Sequence, residues 1–302
     1  MPICFLVLFY RNMIVSVVIP TYNRHDKLLD CVKSIENSIY KDFEIIIVDN
    51  SEDGNVVDVI WKIKFNNIRI IYNYQNLWAS WARTIWALNA KWDRVLFVDD
   101  DNILDSSCIY NLVKVVKEYD KIGALSPIMY HLELPTKLRF SWAFFNFYTS
   151  KATFLNYVKD QDFYECDMIH NVYMIKKDIW DLCGWQDSDL FMGYEEFDLL
   201  MKIHRLWYKI WIAKNAVDYH DHPVKESILR LINTPEKAYH TIKNRMIIMK
   251  RYSNCFQLTL FVSVFYPFFV LAYAYFIIRQ RKFSLLIPHF RGALAGYFYL
   301  FR

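Results

Sequence analysis

Four buried-strand runs, Ile14–Ile19, Phe43–Val48, Ile68–Tyr72 and Arg94–Val98, punctuate the first hundred residues. Each is short, rich in Ile or Val, and followed by polar residues, the pattern of strands covered on both faces. Stretches of helical spacing lie between and after them, near Arg24–Asn37, Asn55–Phe65, Ala79–Ala90 and Ser106–Tyr119. This alternation predicts an α/β fold, a mainly parallel sheet sandwiched by helices. Ligands of such sheets bind beyond the carboxyl ends of the strands. The residues just after each run therefore matter most: Pro20 to Arg24, Asp49 to Gly54, and Asp99 to Asn102.

The pattern weakens over residues 127–170, an aromatic stretch that supports no assignment. A strand is predicted again at Val172–Ile175. A helix follows Glu195-Glu196, with Phe197, Leu200, Ile203 and Trp207 along one face. Two further strands are predicted at Lys209–Ala213 and Ala216–Tyr219, then a long helix over about 234–251 that ends in basic residues. The tail opens with Cys255–Ile278, a stretch without a formal charge. At about 20 residues needed to span a hydrocarbon core, it is long enough to cross. A second apolar stretch, Phe283–Phe301, is interrupted by Pro288, His289 and Arg291. Basic residues flank the first stretch on both sides, which favours a re-entrant or surface-lying helix pair over a single crossing.

Charge divides the chain in the same place. Of 36 basic and 32 acidic residues, residues 255–302 hold five basic (Arg279, Arg281, Lys282, Arg291, Arg302) and none acidic. The rest of the chain is nearly neutral and lacks the footprint of a nucleic-acid binder. The basic, apolar tail suits membrane lipids. Only 6 glycines occur, and no glycine-rich phosphate loop or dinucleotide fingerprint is present. The six cysteines form no C-x-x-C pair, as expected of reduced thiols. Residues 3–10 could pass for a signal core, but no charged stretch precedes them and Arg11-Asn12 is not a small-residue cleavage site. Met13 could itself be the start, and residues 1–12 are expected to be an extension without a role.

Asp99-Asp100-Asp101 is the strongest chemical signal. Strand alternation would send Asp99 and Asp101 to one side, and carboxylates so close repel unless a cation sits among them. Hard oxygen donors suit Mg2+ or Mn2+; the alternative is a solvated turn that caps the next helix with Asp105. Asp49 could accept from a nucleobase N–H or a ribose hydroxyl, or cap the helix that follows. Glu195 and Glu196 could supply a general base, or simply favour the positive end of their helix. His220 and His222, two apart at a strand end, could be metal ligands or structural residues.

Taken together, Val17 to Arg24, the Ile-Val-Asp-Asn run ending at Asn50, the Asp99–Asp101 triplet and Gly193 to Leu199 resemble glycosyltransferase family 2, over about residues 13–222. The resemblance implies a GT-A fold and an inverting transferase that uses a nucleotide-diphosphate sugar and a divalent metal, Mg2+ or Mn2+. By position it implies that Pro20, Tyr22, Asp49 and Arg83 hold the nucleotide, with Asp99 and Asp100 beside the donor. Asp99, Asp101 and His220 would hold the metal, and Glu196, seconded by Glu195, would be the base. Trp78 and Trp86 stand where the family commonly has glycine, and Glu196 where it commonly has Asp.

The expected organisation is an extension (1–12), a catalytic domain (13–230), a basic linker helix (231–254) and membrane-associated helices (255–302). With such a tail, the expected acceptor is membrane-borne: a lipid-linked saccharide, a glycolipid or another glycan. The catalytic domain would lie on the cytoplasmic side. A polyprenyl-phosphate sugar synthase and a silent sugar-nucleotide-binding protein are the alternatives.

Overall fold

The computed structural model describes residues 13–52, 56, 60, 67–73, 93–155, 157–184, 187, 189–190, 192–221 and 232–302. The predicted helices over 55–65 and 79–90 lie outside the described residues, apart from helical positions at Val56 and Ile60. The four early strands form as β1 (Val15–Thr21), β2 (Phe43–Asp49), β3 (Ile68–Tyr72) and β4 (Arg94–Phe97). Helices α1 (His25–Glu36) and α2 (Cys108–Glu118) fall inside their predicted spans.

Both faces of β1, β2 and β4 are covered, which is why their sequences do not alternate. Val15, Val17 and Ile19 of β1 pack with Ile45 and Ile47 of β2 under α1 and α2. Val18, Ile46 and Val48 enter a second core on the opposite face with Phe97.

The unassigned middle of the chain is largely strand. It holds β6 (Ile122–His131), β7 (Leu138–Phe140), a hairpin of β8 (Trp142–Asn146) and β9 (Lys151–Leu155), and β10 (Phe163–Glu165). Then come β11 (Tyr173–Lys176), α3 (Lys177–Leu182), α4 (Glu195–Arg205) and β12 (Lys209–His220). The two strands predicted over 209–219 are one, with an irregular register between Ala213 and Val217. In α4, Phe197, Leu200 and Ile203 are buried as expected, but Trp207 is 89% exposed. The helix ends at Arg205, and Trp207 turns outward with φ at +65°.

The main sheet runs β10-β12-β6-β11-β4-β1-β2-β3, with the short β5 (Asn102–Leu104) on β12 and β7 on β6. Two reversals set its functional edge. β11 runs antiparallel to both β4 and β6, so β6 runs with β4, and β12 runs parallel to β6. The carboxyl ends of β1, β2, β4, β6 and β12 and the amino end of β11 therefore share one edge.

The last helices build a third core. They are α5 (Pro235–Tyr252), α6 (Cys255–Arg279, with a π-helical segment at Phe261–Phe265) and α7 (Leu286–Tyr299). α5 begins well: the Thr234 hydroxyl accepts from the Lys237 N–H, and Pro235 occupies the first turn. Its Ile242, Met246 and Met249 pack with Tyr266 and Ile277 of α6 and Ala293 of α7. The chain thus folds back as a helix pair whose second member lies on α5.

Glycine makes that approach possible. A Cβ at Gly292 would stand 2.2 Å from the Tyr239 carbonyl oxygen, a backbone atom of α5. Gly292→Ala should therefore destabilise the fold by about 2 kcal/mol, read as a lower thermal unfolding midpoint in matched detergent. An unchanged midpoint would mean that α7 does not seat on α5 this closely.

Candidate functional site

The acidic triplet lies just past the end of β4, and regular strand ends at Phe97. The alternation expected to pair Asp99 with Asp101 does not reach them, and the two take different partners. Asp99 Oδ2 accepts from Asn171 Nδ2 at 2.9 Å, and the same amide donates to Asn102 Oδ1 at 2.7 Å. Asp100 and Asp101 instead share Arg24, whose Nη1 lies 3.0 Å from an oxygen of each. Thr21 Oγ1 also donates to Asp100 Oδ2 at 2.8 Å.

Burial dominates the electrostatics here. It pushes the Asp100 carboxyl up to about 6, against the opposing pull of Arg24 and the Thr21 hydroxyl. The Asp101 carboxyl is also raised, first by burial and then by Asp99, with Arg24 opposing.

β5 carries the chain from the triplet to β12, where Asn102 pairs with His220 in register. The Asp221 N–H donates to the Asp101 carbonyl at 2.9 Å. His220 Nε2 thereby comes within 3.7 Å of Asp101 Oδ1. Among the described residues no three His, Cys, Asp or Glu side chains converge as a cation site. The pair nevertheless offers a carboxylate oxygen of the kind that suits Mg2+ or Mn2+, with an imidazole nitrogen beside it. Asp99, expected as a ligand, gives one of its two oxygens to Asn171.

Asp49 ends β2 fully buried; its Oδ1 accepts from the Ser51 N–H at 2.8 Å. Its Oδ2 is buried with no hydrogen-bond partner among the described residues. Such an oxygen fits the N–H or hydroxyl of a bound ligand. Pro20 is buried in the last turn of β1, and Tyr22 is 41% exposed just beyond it. Arg83 and His222 lie outside the described residues.

Glu195 and Glu196 open α4 after two consecutive left-handed residues, Gly193 (φ +79°) and Tyr194 (φ +72°). That bend is held from behind: Asn244 of α5, fully buried, donates to the carbonyls of Met192 and Gly193, both at 2.9 Å. Asp198, one turn into α4, is bound by Lys202, Arg251 and Tyr252 and serves the packing of α4 on α5.

A cleft of about 860 Å3 opens at this edge, and Glu196, His220 and Asn171 line it together. His131, Lys137 and Arg139 form a basic part of its wall, and Phe154 an aromatic part. Pro20, Tyr22, Asp49 and Glu195 are not part of this lining; the first three stand at the β1–β2 end of the edge.

In the cleft wall, His170 Nε2 donates to the Pro127 carbonyl at 2.8 Å, while its Nδ1 accepts from the Val172 N–H. Burial lowers this imidazole to about 4, so it stays neutral. Asp218, fully buried beside it, is pushed well above the ordinary carboxylate range by the same desolvation. Asn171, Asn244 and the basic wall carry no sequence motif. Arg24 and Thr21 stood within a recognisable run, but nothing in it marked them as partners of the triplet.

Residues 16–182 match the family model described as glycosyl transferase family 2, more than half of the chain. Glycosyltransferase GlyG of Streptococcus pneumoniae is 26% identical over 152 residues, covering 50% of this chain and 45% of GlyG. The poly(ribitol-phosphate) beta-glucosyltransferase of Bacillus spizizenii is 32% identical over 124 residues, 38% of this chain and 20% of that protein. The chain thus matches less than half the length of these relatives. Among solved structures, GalNAc-T7 with UDP, GalNAc and Mn2+ superposes with a TM-score of 0.62 at 15% identity, over 83% of this chain and 54% of that one. S. aureus TarS gives 0.55 at 15% identity, over 78% and 39%. At that identity the likeness is one of fold, the GT-A architecture.

Asn171 is the amide that fastens Asp99 to Asn102. Asn171→Ala removes both bonds and leaves the fully buried Asn102 oxygen unsatisfied, a cost of about 1–3 kcal/mol. Urea unfolding followed by near-ultraviolet circular dichroism should show that loss; no change would remove Asn171 from the support of the triplet.

Proposed function

As a member of glycosyl transferase family 2 the chain is a glycosyltransferase, and we propose that it moves a sugar, with inversion, from a nucleotide-diphosphate sugar to a hydroxyl of a membrane-borne acceptor. The observation that carries this reading is the shared cleft of Glu196 and His220, which sets a carboxylate base and a donor-side imidazole around one space.

The division of labour follows from position. Asp49, with its unsatisfied buried oxygen, takes the nucleoside, with Pro20 near the end of β1 and Tyr22 just past it. Arg83 is assigned to the nucleotide by its place in the sequence. Asp101 and His220, with Asp99 and Asp100 beside them, are the residues that would hold a divalent cation, which when bound offsets the charge of a diphosphate leaving group. Arg24 bridges Asp100 and Asp101 and holds them together. Glu196 accepts the proton of the acceptor hydroxyl as that oxygen bonds to the anomeric carbon. Glu195 precedes it in the same helical turn and takes that role if Glu196 does not. No covalent enzyme intermediate is needed.

The acceptor belongs to the membrane on the strength of the tail, as a lipid-linked saccharide or glycolipid, with the catalytic domain on the cytoplasmic side. Relatives named for poly(ribitol-phosphate) and for poly-beta-1,6-N-acetyl-D-glucosamine support a cell-envelope glycan as the acceptor class. One observation favours a second reading, a polyprenyl-phosphate acceptor: Lys137, Arg139 and His131 give the cleft a basic wall that suits a phosphate.

Release of nucleoside diphosphate from a panel of UDP-, GDP- and dTDP-sugars, with and without Mn2+ or Mg2+, tests the reading directly. Metal-dependent release stimulated by membrane lipid extract is the expected result; release with polyprenyl phosphate alone would favour the second reading. Glu196→Gln should abolish transfer and keep donor binding, whereas retained transfer would move the base to Glu195. Asp101→Asn should abolish turnover, and near wild-type turnover would overturn its assignment to the cation. Asn244→Ala should lower kcat by about tenfold, an energy of roughly 1.4 kcal/mol, with little change in donor KM, because it loosens the bend before Glu195.

A further inference from the structure

Helices α6 and α7 each carry two apolar faces. The inner face of α6 places Phe261, Tyr266, Tyr273 and Ile277 in the third core. Its outer face exposes Val264, Phe268, Leu271, Tyr275 and Ile278, at alternating steps of four and three residues. In α7 the inner face holds His289, Gly292, Ala293 and Gly296, while Ile287, Phe290, Leu294 and Phe298 face outward. Leu271, Ile287 and Phe298 are each about two-thirds exposed, at 67%, 69% and 68%. Two adjoining helices thus present apolar stripes of a kind that marks an interaction surface.

The charges around these stripes identify the partner. Arg279, Arg281, Lys282, Arg291 and Arg302 are all exposed, and residues 255–302 include no acidic side chain. We propose that this face docks in the plane of an anionic lipid bilayer, with α6 and α7 half-sunk along their length and neither crossing it. For its purpose this rests on the membrane-borne acceptor proposed above; docking itself can be read without turnover.

The length of α6 alone would allow a span, but its last third is tied to the catalytic domain. The Tyr273 hydroxyl accepts from Arg245 Nη2 at 3.0 Å. The other arm of the same guanidinium donates to Ser150, at 2.7 Å to its carbonyl and 2.9 Å to its hydroxyl. Ser150 lies in the turn between β8 and β9. A hydrocarbon core is about 30 Å thick. A crossing α6 would pull a buried guanidinium and that hairpin into it, against a heavy penalty for buried charge. Lying in the interface, α6 gives lipid only its outer stripe and keeps this network dry.

The hairpin also connects the docking face to the cleft. The Phe256 ring, near the start of α6, lies 6.4 Å from that of Tyr148 in the hairpin turn. Phe154, a few residues along β9, lines the cleft. At about 3.3 Å per residue the cleft wall begins roughly 15 Å along the strand from the lipid-facing end. An acceptor held in the bilayer would thus reach the site along the β8–β9 hairpin.

The test uses the full chain with vesicles of phosphatidylcholine, alone or mixed with phosphatidylglycerol, in a flotation assay. Flotation that depends on phosphatidylglycerol is expected. Arg281→Glu combined with Lys282→Glu, at an exposed turn away from every core, should weaken it by at least tenfold and leave nucleoside-diphosphate release in detergent unchanged. In membrane vesicles from expressing cells, a membrane-impermeant maleimide should label Cys255 and an introduced Gln280→Cys from the same side. Labelling from opposite sides would establish a span and overturn the proposal. Flotation indifferent to phosphatidylglycerol, or a lipid-free dimer that does not float, would also overturn it; the dimer would assign the face to a second copy. Flotation without turnover would leave docking standing and remove the transferase reading, so the two fail separately.

Discussion

Three adjacent carboxylates at the buried edge of a sheet repel one another, and the local structure is organised around that repulsion. Asp100 and Asp101 are 4% and 5% exposed, so water does little to screen them. The chain answers in two directions. Arg24, just past the end of β1, bridges Asp100 and Asp101, while Asn171, just before β11, fastens Asp99. A neighbouring strand on each side of β4 is therefore committed to the same few atoms. The turn so fixed feeds β5 onto β12, and that pairing brings His220 beside Asp101.

Much of the fold was legible in the sequence, and the limits of legibility have physical causes. Strands covered on both faces must be largely apolar, so β1, β2 and β4 stand out as runs. β6 does not, because Ser126-Pro127 interrupts it and a helix precedes it closely. Ser126 is nevertheless buried, its hydroxyl satisfied by the Val172 carbonyl at 2.6 Å. A polar residue with a distant partner looks like a loop residue in a linear reading. The β8–β9 hairpin is obscured differently: its exposed Phe144 and Phe154 blur the alternation that would otherwise mark a half-buried strand.

The site shows the same division. Motif order was enough to bring Asp49, the acidic triplet and His220, near strand ends that share one edge, into consideration together with Glu195-Glu196 at the start of α4. Orientation was not legible. The expectation that Asp99 and Asp101 point together assumed strand geometry that ends at Phe97. Asn171 and Asn244 were invisible for a plainer reason: a single amide has no spacing to recognise, and its value lies in the two acceptors it joins.

Helix α5 bears most heavily on how the parts work together. Its charge suggested a linker, yet Asn244 and Arg245 are buried within it. The first holds the bend before Glu195 and Glu196, and the second ties α6 to the hairpin that reaches the cleft. Arg251, two turns on, binds Asp187 at 2.6 Å and Asp198 at 3.0 Å and so locks α4 to the same helix. One packed helix therefore holds the bend before Glu195 and Glu196 on one side and helices α6 and α7 on the other. On the function proposed above, an enzyme acting on a bilayer-held acceptor must fix the height of its base above the membrane. A flexible linker would leave that height to chance, whereas a packed helix with buried polar anchors sets it within the fold.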